Sequence, residues 1–220
     1  MSRTNEPTQP LRVGVLLSGS GRTLQNLLDL SAAGELPIEI KLVISSRADA
    51  FGLERARTAG VPTCVISRRD TPAKAFNQAI TDALVQADVD LVCMAGFMSL
   101  WTVPERFAGR VMNIHPALLP SFGGKGFYGA RVHQAVLDAG GKITGCTVHF
   151  ADNEYDHGPI IVQRTVPVLD DDTPKTLAAR VFEQETLAYP QAIRLFAAGR
   201  LRITGSRVYV RGESDASPGP

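Results

Sequence analysis

A chain of 220 residues, 44% hydrophobic and 20% charged, has the length and balance of one soluble domain with a sizeable core. Its 23 basic and 22 acidic residues leave a net charge of +1 without a basic block, which argues against a nucleic-acid partner. No apolar run reaches the ~18 residues of a membrane span, and residues 1–10 lack the apolar core of a secretory signal, so a cytoplasmic location without a membrane partner is expected.

Residues 1–10 and 211–220 are rich in Pro, Ser, Gly and charge and read as flexible tails. Between them strands and helices alternate. Residues 11–17 form an apolar strand, followed by the turn Ser18-Gly19-Ser20-Gly21. Residues 23–33 form a helix with Leu24, Leu27, Leu28 and Leu30 inward, closed by Gly34. Residues 38–45 are a strand, 51–59 a helix closed by Gly60, and 63–66 a short strand. Thr71-Pro72 caps a helix to about Gln86. Residues 89–95 and 110–114 are apolar strands, and 131–139 a helix ending at Gly140-Gly141. Residues 143–150 and 160–168 follow each other with no helix between, which predicts an antiparallel pair. Thr173-Pro174 opens a long helix to about Ala198, and 201–209 is an edge-like last strand. The repeating β-α order predicts an α/β single domain: a mostly parallel, twisted, seven-stranded sheet flanked by helices, with an antiparallel element in the C-terminal half. Cys64, Cys93 and Cys146 lie singly in apolar runs and read as buried free thiols; no metal site is expected.

Two stretches carry chemistry. In Met112-Asn113-Ile114-His115-Pro116, strand alternation points Asn113 and His115 to one face where a strand ends. Gly145-Cys146-Thr147-Val148-His149-Phe150 runs on to Asp156-His157-Gly158-Pro159, placing a carboxylate just past a neighbouring strand. An amide, an imidazole and a carboxylate suit acyl transfer to an amine: one holds an oxyanion, one carries a proton, one orients or accepts. The loop 18–23 reads either as a tight turn or as an anion site at a helix start; it is neither a dinucleotide fingerprint nor a Walker A loop. The glycine-rich 121–129 reads as a long turn or a lid, and Glu185 as a solvated helix charge or a ligand group. His133, His149 and His157 are expected to be structural.

The Asn-Ile-His-Pro-Ala-Leu-Leu-Pro and Gly-Cys-Thr-Val-His-Phe motifs, with Asp-x-Gly-Pro downstream, resemble the folate-dependent formyltransferases, nearest the branch acting on glycinamide ribonucleotide in purine synthesis. The resemblance extends to the 18–21 loop, to 50–56, to Ala95-Gly96-Phe97-Met98 and to Gln184-Glu185 before Tyr189-Pro190, and so covers roughly 11–210. It implies one formyltransferase domain, its half 11–110 holding the ribonucleotide phosphate and its half 111–210 catalytic and folate-binding. It implies formyl transfer from 10-formyltetrahydrofolate as co-substrate, with Asn113, His115 and Asp156 catalytic. It assigns Gly19, Ser20, Gly21, Arg22, Thr23 and Glu185 to the ribonucleotide. It assigns Phe97, Met98, Ser99, Leu100, Trp101, Asp152 and Asn153, together with Asn113 and Asp156, to the folate.

The sequence departs from the resemblance in places. Arg22-Thr23 stands where Ser-Asn is frequent, Ser99 where Arg is common, and Asn153 where an acidic residue is usual. Small molecules are the expected partners, and the chain is expected to be a monomer or homodimer. A deformylase using water as acceptor, another folate-dependent formyltransferase, and a non-catalytic nucleotide-binding module are the alternatives.

Overall fold

A computed structural model describes residues 9–69 and 71–212. Among these residues nine strands form one sheet in the order β3-β2-β1-β4-β5-β6-β7-β9-β8. They are β1 (Leu11–Leu17), β2 (Ile38–Ser45), β3 (Thr63–Val65), β4 (Leu91–Met94), β5 (Val111–His115), β6 (Ile143–Phe150), β7 (Ile160–Pro167), β8 (Leu201–Thr204) and β9 (Arg207–Val210). The pairs β1–β2, β2–β3, β1–β4 and β4–β5 are parallel. The pairs β5–β6 and β6–β7 are antiparallel, as the missing helix between 150 and 160 predicts.

Nine strands correct the expected seven: the strand segments read in chain order already number eight, and the last of them is two strands. The C-terminal segment, expected as one strand at the edge, is a hairpin of β8 and β9, because Gly205 at φ 59° turns the chain back at Gly205-Ser206. β9 then joins β7 in parallel. The expected tails lie almost wholly outside the described residues.

Among the described residues, five α-helices cover the sheet: α1 (Arg22–Ala32), α2 (Phe51–Thr58), α3 (Ala73–Gln86), α4 (Ala130–Asp138) and α5 (Pro174–Ala197). α3 packs Phe76, Ile80 and Leu84 on one face, with Trp101 and Phe107 from the segment after β4. The other face takes α1, α2, α4 and α5, through Leu24 and Leu27, Leu53, Val136, Leu177, Val181 and Ile193. Leu30 packs against that core from its margin rather than inside it. Cys93 and Cys146 are buried free thiols; Cys64, near the sheet edge, is only half-buried.

The strand order reverses direction beside β1: β2 and β3 lie to one side, β4 and β5 to the other. Connections from the carboxyl ends of β1 and β4 therefore leave in opposite directions and open a crevice between them. Tyr189 of α5 fixes the floor there, its hydroxyl lying 3.0 Å from the Met94 carbonyl and 2.9 Å from the Met112 carbonyl.

Candidate active site

A cleft of about 400 Å³ occupies that crevice. One wall is the loop after β1. Gly21 caps α1 in the left-handed conformation (φ 69°), and a Cβ there would lie 2.5 Å from the Cα of Gly52 in α2. This close approach is why the position needs glycine. Gly19, Ser20, Gly21, Arg22 and Thr23 all border the cleft. Arg55 of α2 braces the loop by donating to the Ser20 carbonyl at 2.9 Å. The Arg22 guanidinium lies 3.7 Å over the Phe182 ring; stacking occupies its face and leaves the N–H donors at its edge.

The opposite wall is the segment after β4. Phe97, Met98, Ser99, Leu100 and Trp101 border the cleft. Met98 and Leu100 are exposed, whereas the Trp101 ring is buried, edge-on to Phe107, with its Nε1 donating to Thr81. Trp101 thus anchors this wall in the core and offers little of its ring to a ligand. Asp152 also borders the cleft; its carboxylate accepts from His157 at 2.8 Å. Asn153 does not border it. Its side chain accepts from the Val103 N–H at 2.8 Å and ties two loops together beside the cleft.

The floor carries the polar cluster. Asn113 and His115 share a face of β5, and cross-strand pairing sets His149 of β6 opposite Asn113 on that same face. The loop 151–159 brings Asp156, at φ 53°, back over them. Such a backbone conformation is strained for a residue with a Cβ. Asp156 Oδ2 lies 3.4 Å from His115 Nδ1 and accepts from the Gly124 N–H at 2.9 Å. Asp156 Oδ1 lies 3.3 Å from the Asn113 amide nitrogen and 3.7 Å from His149 Nε2. His115 Nε2 donates to the Phe122 carbonyl at 2.8 Å. The structure therefore brings Asn113, His115 and Asp156 together, and adds His149, which sequence reasoning placed among structural histidines.

Burial pushes His115 below its ordinary value, against the pull of Asp156 and the Phe122 carbonyl. Burial by itself would raise Asp156, but His149, His115 and the Gly124 N–H together hold the carboxyl below its usual range. A carboxylate thus faces a mostly neutral imidazole whose two nitrogens both point at acceptors. The arrangement is ready to take up one proton.

Glu185, on α5, borders the same cleft, and burial raises it to about 7 against the opposing effect of Arg22. It is not the solvated helix charge that its place in the sequence also allowed. His133 is buried, and its Nδ1 has no partner among the described residues. No group of three or more His, Cys, Asp or Glu side chains is placed to hold a metal ion, among the described residues. No helix there is long and apolar enough to cross a membrane.

Comparison with known proteins adds four findings. The sequence pattern of the family described as "Formyl transferase" matches residues 11–193. Phosphoribosylglycinamide formyltransferase of Haemophilus influenzae is 39% identical over 92% of this chain and 95% of its own length. The trifunctional purine biosynthetic protein adenosine-3 of Chironomus tentans is 41% identical over 87% of this chain, which spans only 14% of that longer protein. Among solved structures, glycinamide ribonucleotide transformylase 1 of Symbiobacterium toebii superposes with a TM-score of 0.88 at 45% identity, covering 95% of this chain and 98% of that one.

Proposed function

The chain belongs to the formyl transferase family, and we propose that it moves a formyl group from 10-formyltetrahydrofolate to the amine of N1-(5-phospho-D-ribosyl)glycinamide, a one-carbon transfer of purine biosynthesis. The single observation that carries this reading is the meeting of Asn113, His115 and Asp156 on the floor of one cleft. That cleft has a helix N-terminus on one side and an apolar loop on the other.

The ribonucleotide phosphate is assigned to the N–H groups of residues 19–23 at the start of α1, in the first half of the domain. The Arg22 donors reinforce them. Glu185, poised between its acid and its carboxylate, takes the ribose hydroxyls. The folate is assigned to residues 97–100, with the Trp101 backbone as support and Asp152 at the rim. That assignment spans the two halves of the domain.

In the reaction the amine nitrogen bonds to the formyl carbon and the carbonyl oxygen becomes an oxyanion. Asn113 stabilises it as a hydrogen-bond donor, and His115, once protonated, by its charge. The amine gives up one proton, which the His115–Asp156 pair accepts: an imidazolium there is held between the Phe122 carbonyl and a carboxylate. Collapse breaks the bond from carbon to N10 of the folate. N10 takes a proton in return, so the site ends as it began.

The test is formyl transfer followed by release of tetrahydrofolate, with and without the ribonucleotide. Release that requires the ribonucleotide, with formation of the formylated product, is the expected result. Release at the same rate without it would make water the acceptor and the enzyme a deformylase. Neither product would remove the assignment.

A further inference from the structure

The hydrogen positions around His149 are fixed by its neighbours. Its Nδ1 lies 2.9 Å from the Phe150 carbonyl, which only accepts, so Nδ1 carries a hydrogen. In the neutral ring Nε2 is then bare and only accepts. Its partner at 3.1 Å is the Asn113 amide nitrogen, which donates. The other hydrogen of that amide is directed to Asp156 Oδ1 at 3.3 Å. Both Asn113 hydrogens are therefore engaged within the protein, and the atom left over is the carbonyl oxygen. A carbonyl oxygen repels an oxyanion. The resting amide is turned the wrong way for the role assigned to it.

A second proton on His149 reverses the arrangement. Nε2–H then needs an acceptor, and two lie in its direction: the amide head of Asn113 at 3.1 Å and Asp156 Oδ1 at 3.7 Å. A half-turn of the amide puts its oxygen against Nε2–H and frees both amide hydrogens for the cleft. Asp156 loses a neutral donor and gains a cation, the stronger partner for a carboxylate. Each state satisfies the buried groups; a mixed state leaves two acceptors or two donors facing each other, which burial penalises.

We propose that His149 is a positioning residue acting through Asn113: its protonation selects the amide orientation, and the oxyanion donor exists only when His149 carries both hydrogens. The purpose of this device rests on the formyl-transfer reading above; the coupled reorientation does not. The titratable groups that face Nε2 are Asp156, from the loop after β6, and His115, from β5. From β7 the residue opposite His149 is the apolar Ile160.

The experiment is a pH titration of the uniformly 15N-labelled protein by NMR, following the His149 ring nitrogens and the Asn113 side-chain amide. At high pH His149 should hold its hydrogen on Nδ1. As pH falls through the His149 titration, the Asn113 amide signals should shift with the same midpoint. A parallel series measures kcat against pH. Wild type should lose about a hundredfold as pH rises through that midpoint, the scale of losing one oxyanion donor. His149→Phe should be slow at every pH. His149→Gln, whose amide meets either orientation without a proton, should recover part of the rate and lose that limb of the profile. Asn113 signals that ignore the His149 titration, or a wild-type pH profile in His149→Gln, would overturn the proposal. A variant that fails to fold leaves the wild-type titration to decide. Failure of the transfer assay on wild type would remove the formyl-transfer reading and leave the titration result standing.

Discussion

Gly19 and Gly21 sit two residues apart in one loop and answer differently to the same change. A Cβ on Gly21 would meet the Gly52 backbone at 2.5 Å and force a side chain into the left-handed region, so Gly21→Val should damage the fold as well as the site. Gly19 has nothing within 4 Å of an added Cβ and borders the cleft. Gly19→Ala should fold normally and raise KM for the ribonucleotide severalfold, with the folate KM unchanged. Steady-state kinetics on the two substrates checks this, and equal increases would place the ribonucleotide phosphate elsewhere. On the floor, Asn113→Ala or His115→Ala should lower kcat by about a hundredfold or more with the fold intact, since each removes stabilisation made in the transition state. Near-normal kcat in either variant would end the assignment. Asn113 and His115 were legible because alternation along one strand puts i and i+2 on a common face. His149 was not. Its face also alternates, but which partner it meets depends on the β5–β6 register, and its own strand is bulged against β7 between Val148 and His149. The side-chain direction of Asn153 was not legible either. The loop that holds it is near the cleft, but which way one side chain turns there follows from a hydrogen bond to Val103, far away in sequence.

Most elements were legible because their ends are chemically marked. Gly34, Gly60, Gly140 and Gly199 all have positive φ just beyond helix ends, and Thr173-Pro174 starts α5 where a hydroxyl and a missing N–H suit a first turn. The capping box at Thr173 is reciprocal: its Oγ1 accepts from the Thr176 N–H at 3.2 Å, and the Thr176 Oγ1 accepts from the Thr173 N–H at 2.9 Å. Thr173→Ala should cost about 1 kcal/mol of stability. The neighbouring ion pair of Asp172 and Arg180, at 2.7 Å, adds a pH dependence. Arg180 holds the Asp172 carboxyl well below its usual range, so the pair's stabilisation is complete above ordinary carboxylate pH and fades as acid titrates the depressed group. Urea unfolding of Thr173→Ala at neutral pH measures the cap. A loss well under a few tenths of a kcal/mol would mean that packing alone holds that end of α5. The hairpin of β8 and β9 was less legible, although Gly205-Ser206 is a turn signal. Its strands are short and largely exposed, so they carry little of the alternation that distinguishes two paired strands from one irregular edge.

At the scale of the whole molecule, the cleft exists because the strand order reverses at β1, and α5 helps to line it through Phe182 and Glu185. That helix places Tyr189 under the strand ends and Glu185 in the cleft. One of these residues stabilises the fold and the other opposes it. Burial raises the Glu185 carboxyl from 4.5 to about 7, so the folded protein prefers it protonated. A raised carboxyl contributes its full share of stability below its unfolded value and loses it as pH rises through the folded one. Glu185 should therefore weaken the fold progressively from about pH 4.5 to about pH 7, by an order of 1–3 kcal/mol. Its retention in a half-buried position lining the cleft is explained if the ribonucleotide supplies the missing partners, since a ligand that binds only the native state restores stability by mass action. Glu185→Gln keeps the shape and removes the titration. The variant should match wild type in urea unfolding near pH 4.5 and exceed it by about 1–3 kcal/mol above about pH 8. The same substitution should raise KM for the ribonucleotide and shrink the thermal shift that this ligand gives. A stability difference independent of pH would show that the carboxylate is well solvated in the fold. An unchanged KM beside the expected stability gain would show that Glu185 is held in the cleft for a reason other than the ribonucleotide, and the ribose contact would have to be sought among the other residues of α5.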